Sequence, residues 1–405
     1  MARSPETSNN ASAREKARKM QQEQERKQKL TSALLRVGVI GATGQGGYGH
    51  GLDRAFAEVP GTGIVAVADH DRAAGKRKAA GLGLDSAYTD YRKMLADEKL
   101  DIVCIGPRWL TRRVEMVEAV AEAGCHIYCE KPFAADLVSA DRMRRACKRA
   151  DVKLAMAHQW RAMPPIRQAL SELKAGRYGR LLRASTRPKD DHRGGGEELL
   201  VHGTHWFDLL IAMAGTPRWS SGHIQVGRRD ATRKDRTDAT EPVGPITGDS
   251  ISALFGFDHG VRGYFESTAH LAVRGKSNFD NLYGVFLECE RAAIHFRQPG
   301  DAWVYPAPKV LPDHKRLAWH RITVPGWHTD ADGKPRDVRR TWISYGNSVL
   351  AADLVQAIRN DREPLSGLDH AMGITEMVQG VYASHFAEGR RMKIPLEQRQ
   401  HPLEA

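Results

Sequence analysis

Cysteine is scarce in this 405-residue chain: Cys104, Cys125, Cys129, Cys147 and Cys289 form no C-x-x-C pair. A disulfide framework and a cysteine-held zinc site are therefore not expected. Long apolar runs are missing as well, none approaching the ~18 residues that a membrane span requires. The first thirty residues hold no apolar core of a secretory signal. A soluble cytoplasmic protein without thiol chemistry is the expectation, with no membrane partner.

What is present is the balance of a globular chain, 41% hydrophobic and 27% charged. At ~150 residues per domain the length allows two domains and a tail. The net charge is +12, and part of it lies in the first thirty residues, where eight Lys/Arg face four Glu. That stretch is polar and too poor in apolar residues to offset chain entropy, so residues 1–34 are expected to be a disordered basic tail. Its mixed-sign charge lacks an unbroken basic block or interleaved aromatics, so no nucleic-acid partner is expected.

From Leu35 short apolar strands alternate with helical stripes: RVGVIG, GIVAVAD, LDIVCIG, CHIYCE and KLAMAH are the strand-like runs. Near-continuous apolar runs in such an order predict a parallel sheet covered on both faces, a doubly wound Rossmann domain over residues 35–158. After Met163-Pro164-Pro165 the pattern changes to a helix, a strand LLRASTR, a glycine-rich loop, a helix near Thr204, and strand-like runs at short spacing. An α+β domain with a large open, mostly antiparallel sheet is predicted for residues 159–405. Helical patterns at 347–359 and 371–386 are expected to pack back toward the first domain.

Gly41-Ala42-Thr43-Gly44-Gln45-Gly46 follows the first strand, and apolar residues at 52, 55, 56 and 59 predict a helix after it. Glycines let a backbone approach a pyrophosphate, and a helix N-terminus offers it free N–H groups. Asp69 ends the second strand, 28 residues after Gly41. A carboxylate there accepts from ribose hydroxyls and repels a 2′-phosphate, which favours NAD over NADP. Cys129-Glu130-Lys131-Pro132 ends another parallel strand, and strand carboxyl ends are where ligands collect. Lys131 there could donate to a substrate oxygen, and His205 has the ordinary pKa of a general base.

These segments together resemble the family of glucose–fructose oxidoreductase, inositol dehydrogenase and MocA. The carriers are VGVIGATGQG, AVAD with Asp69, IVCIGP with Pro107, the CEKP block, HQWRAMPPI, Gly194–Gly196, and GTHWFDLL with His205 and Asp208. The resemblance implies a Rossmann domain, an open-sheet domain, and hydride transfer between NAD(P) and a sugar, polyol or related alcohol. It also implies a homodimer or homotetramer formed through the open sheet. Carried over residue by residue, Lys131 and His205 are the implied catalytic pair. Gly41, Thr43, Gly44, Gln45, Gly46, Asp69, Pro107, Glu130, Lys131 and Gln159 are the implied cofactor contacts. Arg161, Asp191, His192, His202 and His205 would face substrate, and no metal is expected. The aspartate of the family's D-x-G-x-H motif falls at Val201, which accepts no proton. Asp190, Asp191, His192, Glu197 and Glu198 are candidates to replace it, with Asp191 and His192 preferred. Two other functions remain open: an NAD-retaining glycoside hydrolase or lyase that oxidises its sugar transiently, and a cofactor-binding sensor without turnover.

Overall fold

Strands β1 (Leu35–Ile40), β2 (Thr62–Ala68), β3 (Ile102–Ile105), β4 (His126–Cys129) and β5 (Leu154–Met156) form a wholly parallel sheet in the order β2-β1-β3-β4-β5. The computed structural model describes residues 34–404 except 274–275, 277–282 and 315, so nearly all of the expected tail lies outside the described residues. Tyr88 pairs in parallel with Ala68, which adds a one-residue position beyond β2 and completes the doubly wound order. The connecting helices are α1 (Arg72–Gly81), α2 (Tyr91–Asp97), α3 (Arg113–Glu122) and α4 (Leu137–Ala150). Asp71, Asp90 and Asp136 cap α1, α2 and α4 by accepting from backbone N–H groups in their first turns. On α4 the stripe Leu137, Ala140, Met143 and Cys147 is buried against the sheet, as its helical spacing requires.

One expectation is corrected. The segment after the glycine loop is not an α-helix but a short 3-10 turn at Leu52–Arg54 continued by turns. Its N–H groups bond mostly three residues back, as Ala55 does to Leu52 and Val59 to Phe56. The apolar stripe is nonetheless buried, so spacing identified which side chains enter the core without identifying the backbone that carries them. Gly47, Gly49 and Gly51 all take left-handed φ, so the chain turns repeatedly before any helix can nucleate.

Beyond β5 come α5 (Pro164–Lys174), β6 (Leu181–Arg187), α6 (Gly196–Val201) and α7 (Gly203–Ala214). The chain continues through β7 (Trp219–Val226), β8 (Ser250–Gly256), β9 (Arg262–Thr268), β10 (Gly284–Cys289), β11 (Ala293–Arg297) and β12 (Asp301–Tyr305), and then α8 (Trp342–Arg359) and α9 (Leu368–His385). A second sheet has the central order β12-β11-β10-β6-β9-β8-β7, with two-residue strands at its ends. All its pairings are antiparallel except β6 with β9. One continuous apolar core runs from β1 through Trp160, Trp206 and the inner face of this sheet to α8 and α9. Helix α9 is buried on nearly every side between α4 and β7. Gly222 and Gly380 permit that contact: a Cβ on the former would lie 2.6 Å from the Val381 carbonyl, and on the latter 2.3 Å from Ser220 Oγ. Among the described residues no helix is long and apolar enough to cross a membrane.

Candidate functional site

The glycine loop folds into a tight turn at the carboxyl end of β1, closed by N–H bonds from Ala42 to Gly47 O and from Gly47 to Ala42 O. Asp69, 1% exposed, holds it from the end of β2. Its carboxylate accepts from the Thr43 hydroxyl at 2.7 Å, the Thr43 N–H at 3.2 Å and the Asp71 N–H at 3.0 Å. Helix capping falls to Asp71, which leaves Asp69 facing the loop. A cavity of about 240 Å³ opens beside them, lined by Gly41, Gln45, Asp69, His70, Arg92 and Arg112. Gly46 lies so close to the segment after β3 that a Cβ would sit 2.5 Å from the Arg108 nitrogen, whereas a Cβ on Gly44 would meet nothing. A backbone cradle open on one side, next to a carboxylate and a cavity, fits a dinucleotide's pyrophosphate and ribose.

The strand ends beyond the loop are tied together by buried polar side chains. Arg113, the first residue of α3, is 1% exposed and donates to three carbonyls: Pro107 at 2.6 Å, Pro132 at 2.8 Å, and Glu130. It thereby fixes the spacing between the ends of β3 and β4. Glu130 is fully buried and bonds the His50 imidazole. Burial works against its carboxylate, but His50, Lys131 and Arg113 outweigh that and hold its pKa below the ordinary range. Asn347 on α8 accepts from Tyr128 and Gln159, each at 2.9 Å, and donates to the His50 carbonyl at 2.9 Å. A helix from the far end of the chain thus sets the glycine loop's exit.

Lys131 is 3% exposed, and its ammonium donates to the Val201 carbonyl at 3.3 Å, where α6 ends. Burial lowers its pKa despite the nearby carboxylates of Glu130, Glu241 and Glu198. In the first turn of α7 stands His205, 5% exposed, with His202 at a ring distance of 6.0 Å and His158 at 5.5 Å. His202 Nδ1 approaches Glu198 Oε2 at 2.9 Å, outside hydrogen-bonding geometry. Burial raises the Glu198 pKa. Behind the histidines lies Asp208, wholly buried, with Ser366 Oγ at 2.8 Å, Arg161 Nη1 at 3.2 Å and His370 Nδ1 at 3.4 Å. Burial alone would raise its pKa, but Arg161 and the two histidines hold it well below the carboxylate range.

The structure therefore brings together Lys131, Glu130, His202 and His205, and separately the loop residues 41–46 with Asp69. Pro107 contributes a carbonyl to Arg113. Other expected site residues stand elsewhere. Arg161 lies behind the histidine layer on Asp208. Gln159 is 2% exposed and bonds Asn347. His192 is turned outward, its side chain 65% exposed. Asp191 is gripped by Arg193 at 2.9 Å, and Arg193 also reaches Glu198 at 3.4 Å. Of the acids proposed to replace the absent aspartate, Glu198 is the one beside His202, and Glu197 instead bonds Thr240. Lys189, two residues beyond β6, lies near Glu198 and Arg193 and is not among the expected site residues. Burial lowers its pKa, with Glu198, Arg193 and Asp191 the charges nearest to it in effect. Among the described residues no group of three or more side chains could hold a metal ion.

Burial pushes the His158 pKa down to about 4 and those of His202 and His205 well below the ordinary value. All three are neutral when folded, while the unfolded chain takes up protons below pH ~6.5. Their stabilisation is complete above pH ~6.5 and is lost as pH falls toward 4, by about 3 kcal/mol for His158 alone. Asp190, whose carboxyl is pushed up to about 6 chiefly by burial, and Glu198, also raised by burial, act in the opposite sense, but His295 and His401, each pushed down to about 4 by burial, add to the three histidines. The urea midpoint should therefore fall between pH 6.5 and 4, less steeply for His158→Asn. A flat profile in the parent chain would show that these histidines titrate as if exposed.

Comparison with known proteins bears on this geometry. Residues 35–158 match the model of the family described as an oxidoreductase family with an NAD-binding Rossmann fold. The chain is 34% identical over 125 residues to D-apiose dehydrogenase of Paraburkholderia graminis, covering 31% of this chain and 33% of that one. It is 31% identical over 209 residues to D-apiose dehydrogenase of Rhizobium rhizogenes, covering 51% and 57%. The matched stretches thus span between a third and somewhat over half of these relatives' length. Among solved structures, levoglucosan dehydrogenase in complex with NADH and levoglucosan superposes with a TM-score of 0.70 at 19% identity, over 89% of this chain and 99% of that one. Residues 35–158 thus match the model of that oxidoreductase family, and the chain shares the fold of levoglucosan dehydrogenase over nearly the whole length of that protein.

Proposed function

We propose that the protein is an NAD-dependent oxidoreductase that transfers hydride between the nicotinamide and a hydroxyl-bearing or keto carbon of a sugar, polyol or sugar derivative. The observation that carries this reading is the meeting of Lys131, from the end of β4, with the helix junction at Val201 that positions His205. That meeting occurs at the strand carboxyl ends, where the glycine loop also lies. NAD, when bound, supplies the hydride acceptor. Residues 41–46 and Asp69 would hold its pyrophosphate and ribose, and the Asp69 carboxylate would disfavour a 2′-phosphate. His205, kept neutral by burial, takes the hydroxyl proton. Lys131 stabilises the oxygen as negative charge develops, in surroundings from which burial has removed most water. The partners are a small carbohydrate and further copies of the chain, docked through the outer face of the second sheet. There Phe286 and His295 form an aromatic cluster with Trp319.

The test is an NADH assay with D-apiose, myo-inositol, D-xylose and levoglucosan, the sugars and polyol named for relatives. Net NADH formation is expected with at least one of them, with kcat/KM for NAD over NADP greater by about tenfold or more, the ratio that ~1.4 kcal/mol of repulsion produces. Light scattering should report a mass of two or four chains. Cleavage of glycosides without net NADH would move the chain to the transient-oxidation class. Tight NAD binding with no turnover on a broad panel would overturn the enzyme reading.

A further inference from the structure

A cavity of about 730 Å³ lies at the opposite end of the second sheet from the loop that carries Asp190 and Asp191. Its walls are α5, the last turn of α7, the start of β6 and the turn that joins β8 to β9. β6 begins there at Leu181 and ends at Arg187, about 20 Å further on at ~3.3 Å per residue. Arg187 pairs with Asp190, and the Thr268 N–H at the far end of β9 donates to the same carboxylate. The cavity is thus a strand's length from the histidine layer's loops, and its size is that of a site for a small organic ligand. Leu170, Leu173, Leu181 and Met213 line it and all stay partly exposed, so apolar surface is left facing a concave space.

The charged side chains on its wall are Arg161, Arg167, Lys174, Arg180 and Asp258. Three of them are compensated. Arg180 pairs with Glu290 at 2.7 Å, Arg161 with Asp208 at 3.2 Å, and Asp258 accepts two bonds from Arg218, at 2.8 and 2.7 Å. Arg167 and Lys174 have no side-chain partner among the described residues. They are not scattered: Arg167, Leu170, Ser171 and Lys174 follow the i, i+3, i+4, i+7 spacing of one stripe of α5, whose other side buries Ile166 and Ala169. Seven residues of helix are about 10 Å, a distance that two long, flexible side chains close over one small anion. A lone cation on a surface is ordinary. Two on one stripe, bordering apolar walls and with the nearby acid already claimed, select a ligand that brings both an apolar body and a negative charge.

We propose that this cavity binds an amphipathic carboxylate, its apolar body against Leu170, Leu173, Leu181 and Met213 and its anionic group held by Arg167 and Lys174. The site is separate from the cofactor cradle and does not rest on the hydride chemistry assigned to Lys131 and His205.

Calorimetric titration of the full chain with octanoate, 1-octanol and acetate tests the site. Octanoate should bind at a single site per chain, about tenfold or more tighter than 1-octanol, which has the body without the charge. It should also bind tighter than acetate, which has the charge without the body. Saturating NADH should leave the octanoate Kd within about twofold, since well-separated sites act independently. Arg167→Met combined with Lys174→Met removes both charges from an exposed stripe and keeps the stems. It should weaken octanoate about tenfold or more and leave 1-octanol unaffected, the scale of a lost charge-assisted contact. Ala212→Phe, which puts a ring into the cavity from α7, should abolish octanoate binding in a chain that still unfolds cooperatively on heating. Should that variant not fold, the methionine pair decides alone. No octanoate binding at millimolar concentration, equal affinity for octanoate and 1-octanol, an unweakened methionine variant, or competition with NADH would each overturn the proposal. A change of mass in light scattering for Ala212→Phe would assign the cavity to contact between copies of the chain, and would overturn it as well.

Discussion

Lys131→Met lowers kcat on the responding sugar by about 10³-fold or more, the range spanned by losing a preorganised charged donor at a developing oxyanion. NADH affinity stays within about threefold. Methionine fills the same channel with a similar apolar stem, so the loss is one of charge and not of packing. The side chain is buried, and its ammonium donates to a neutral acceptor, the Val201 carbonyl. Its charge is therefore free to act on a substrate oxygen, which Val201 then shares or yields. Burial has already lowered its pKa, so the ammonium can also part with a proton more easily than a surface lysine. Stopped-flow reduction of NAD checks turnover, and fluorescence titration with NADH checks binding. An equal loss of both would mean that Lys131 shapes the cofactor site; loss of neither would remove it from the chemistry.

Arg113→Met is expected to be the most destabilising single change outside the apolar core. Three buried carbonyls lose their donor at once, and each such loss costs about 1–3 kcal/mol. The sum, about 3–5 kcal/mol after local relaxation, is a large share of an ordinary domain's stability. The same change unlinks Pro107 from Glu130 and Pro132, so the surviving folded fraction should bind NADH more weakly. Arg113→Lys should restore only part of the loss, because an ammonium cannot span carbonyls from two strand ends as a guanidinium fork does. Urea unfolding of the three chains reads the stability difference. A fall below 1 kcal/mol for the methionine variant would mean that water replaces the guanidinium.

How far the sequence alone could reach is visible in particular residues. The strand of Lys131 was legible because its apolar run, its Glu-Lys-Pro exit and the flanking helical stripes are all local patterns. His205 was legible through its motif. The helix after the glycine loop was misread because a stripe at 52, 55, 56 and 59 reports burial equally well for a 3-10 turn. Glu198 was in view but ranked below Asp191 and His192, since nothing in their shared loop says which side chain turns inward. Arg113, His158 and Asn347 carry no local pattern that marks them, because their partners lie far away in the chain.

The order of strands, the parallel sheet, the glycine loop with its carboxylate and the lysine at a strand end were determined by the sequence, because periodicity and strand-end chemistry act over a few residues. Which polar groups are buried together was decided only by the tertiary structure. Tyr128 and Asn347 are 219 positions apart, and Ser366 reaches His158 across 208. Such pairs form only when two sheets and two late helices close on one core, and that closure is what buries the histidines away from water.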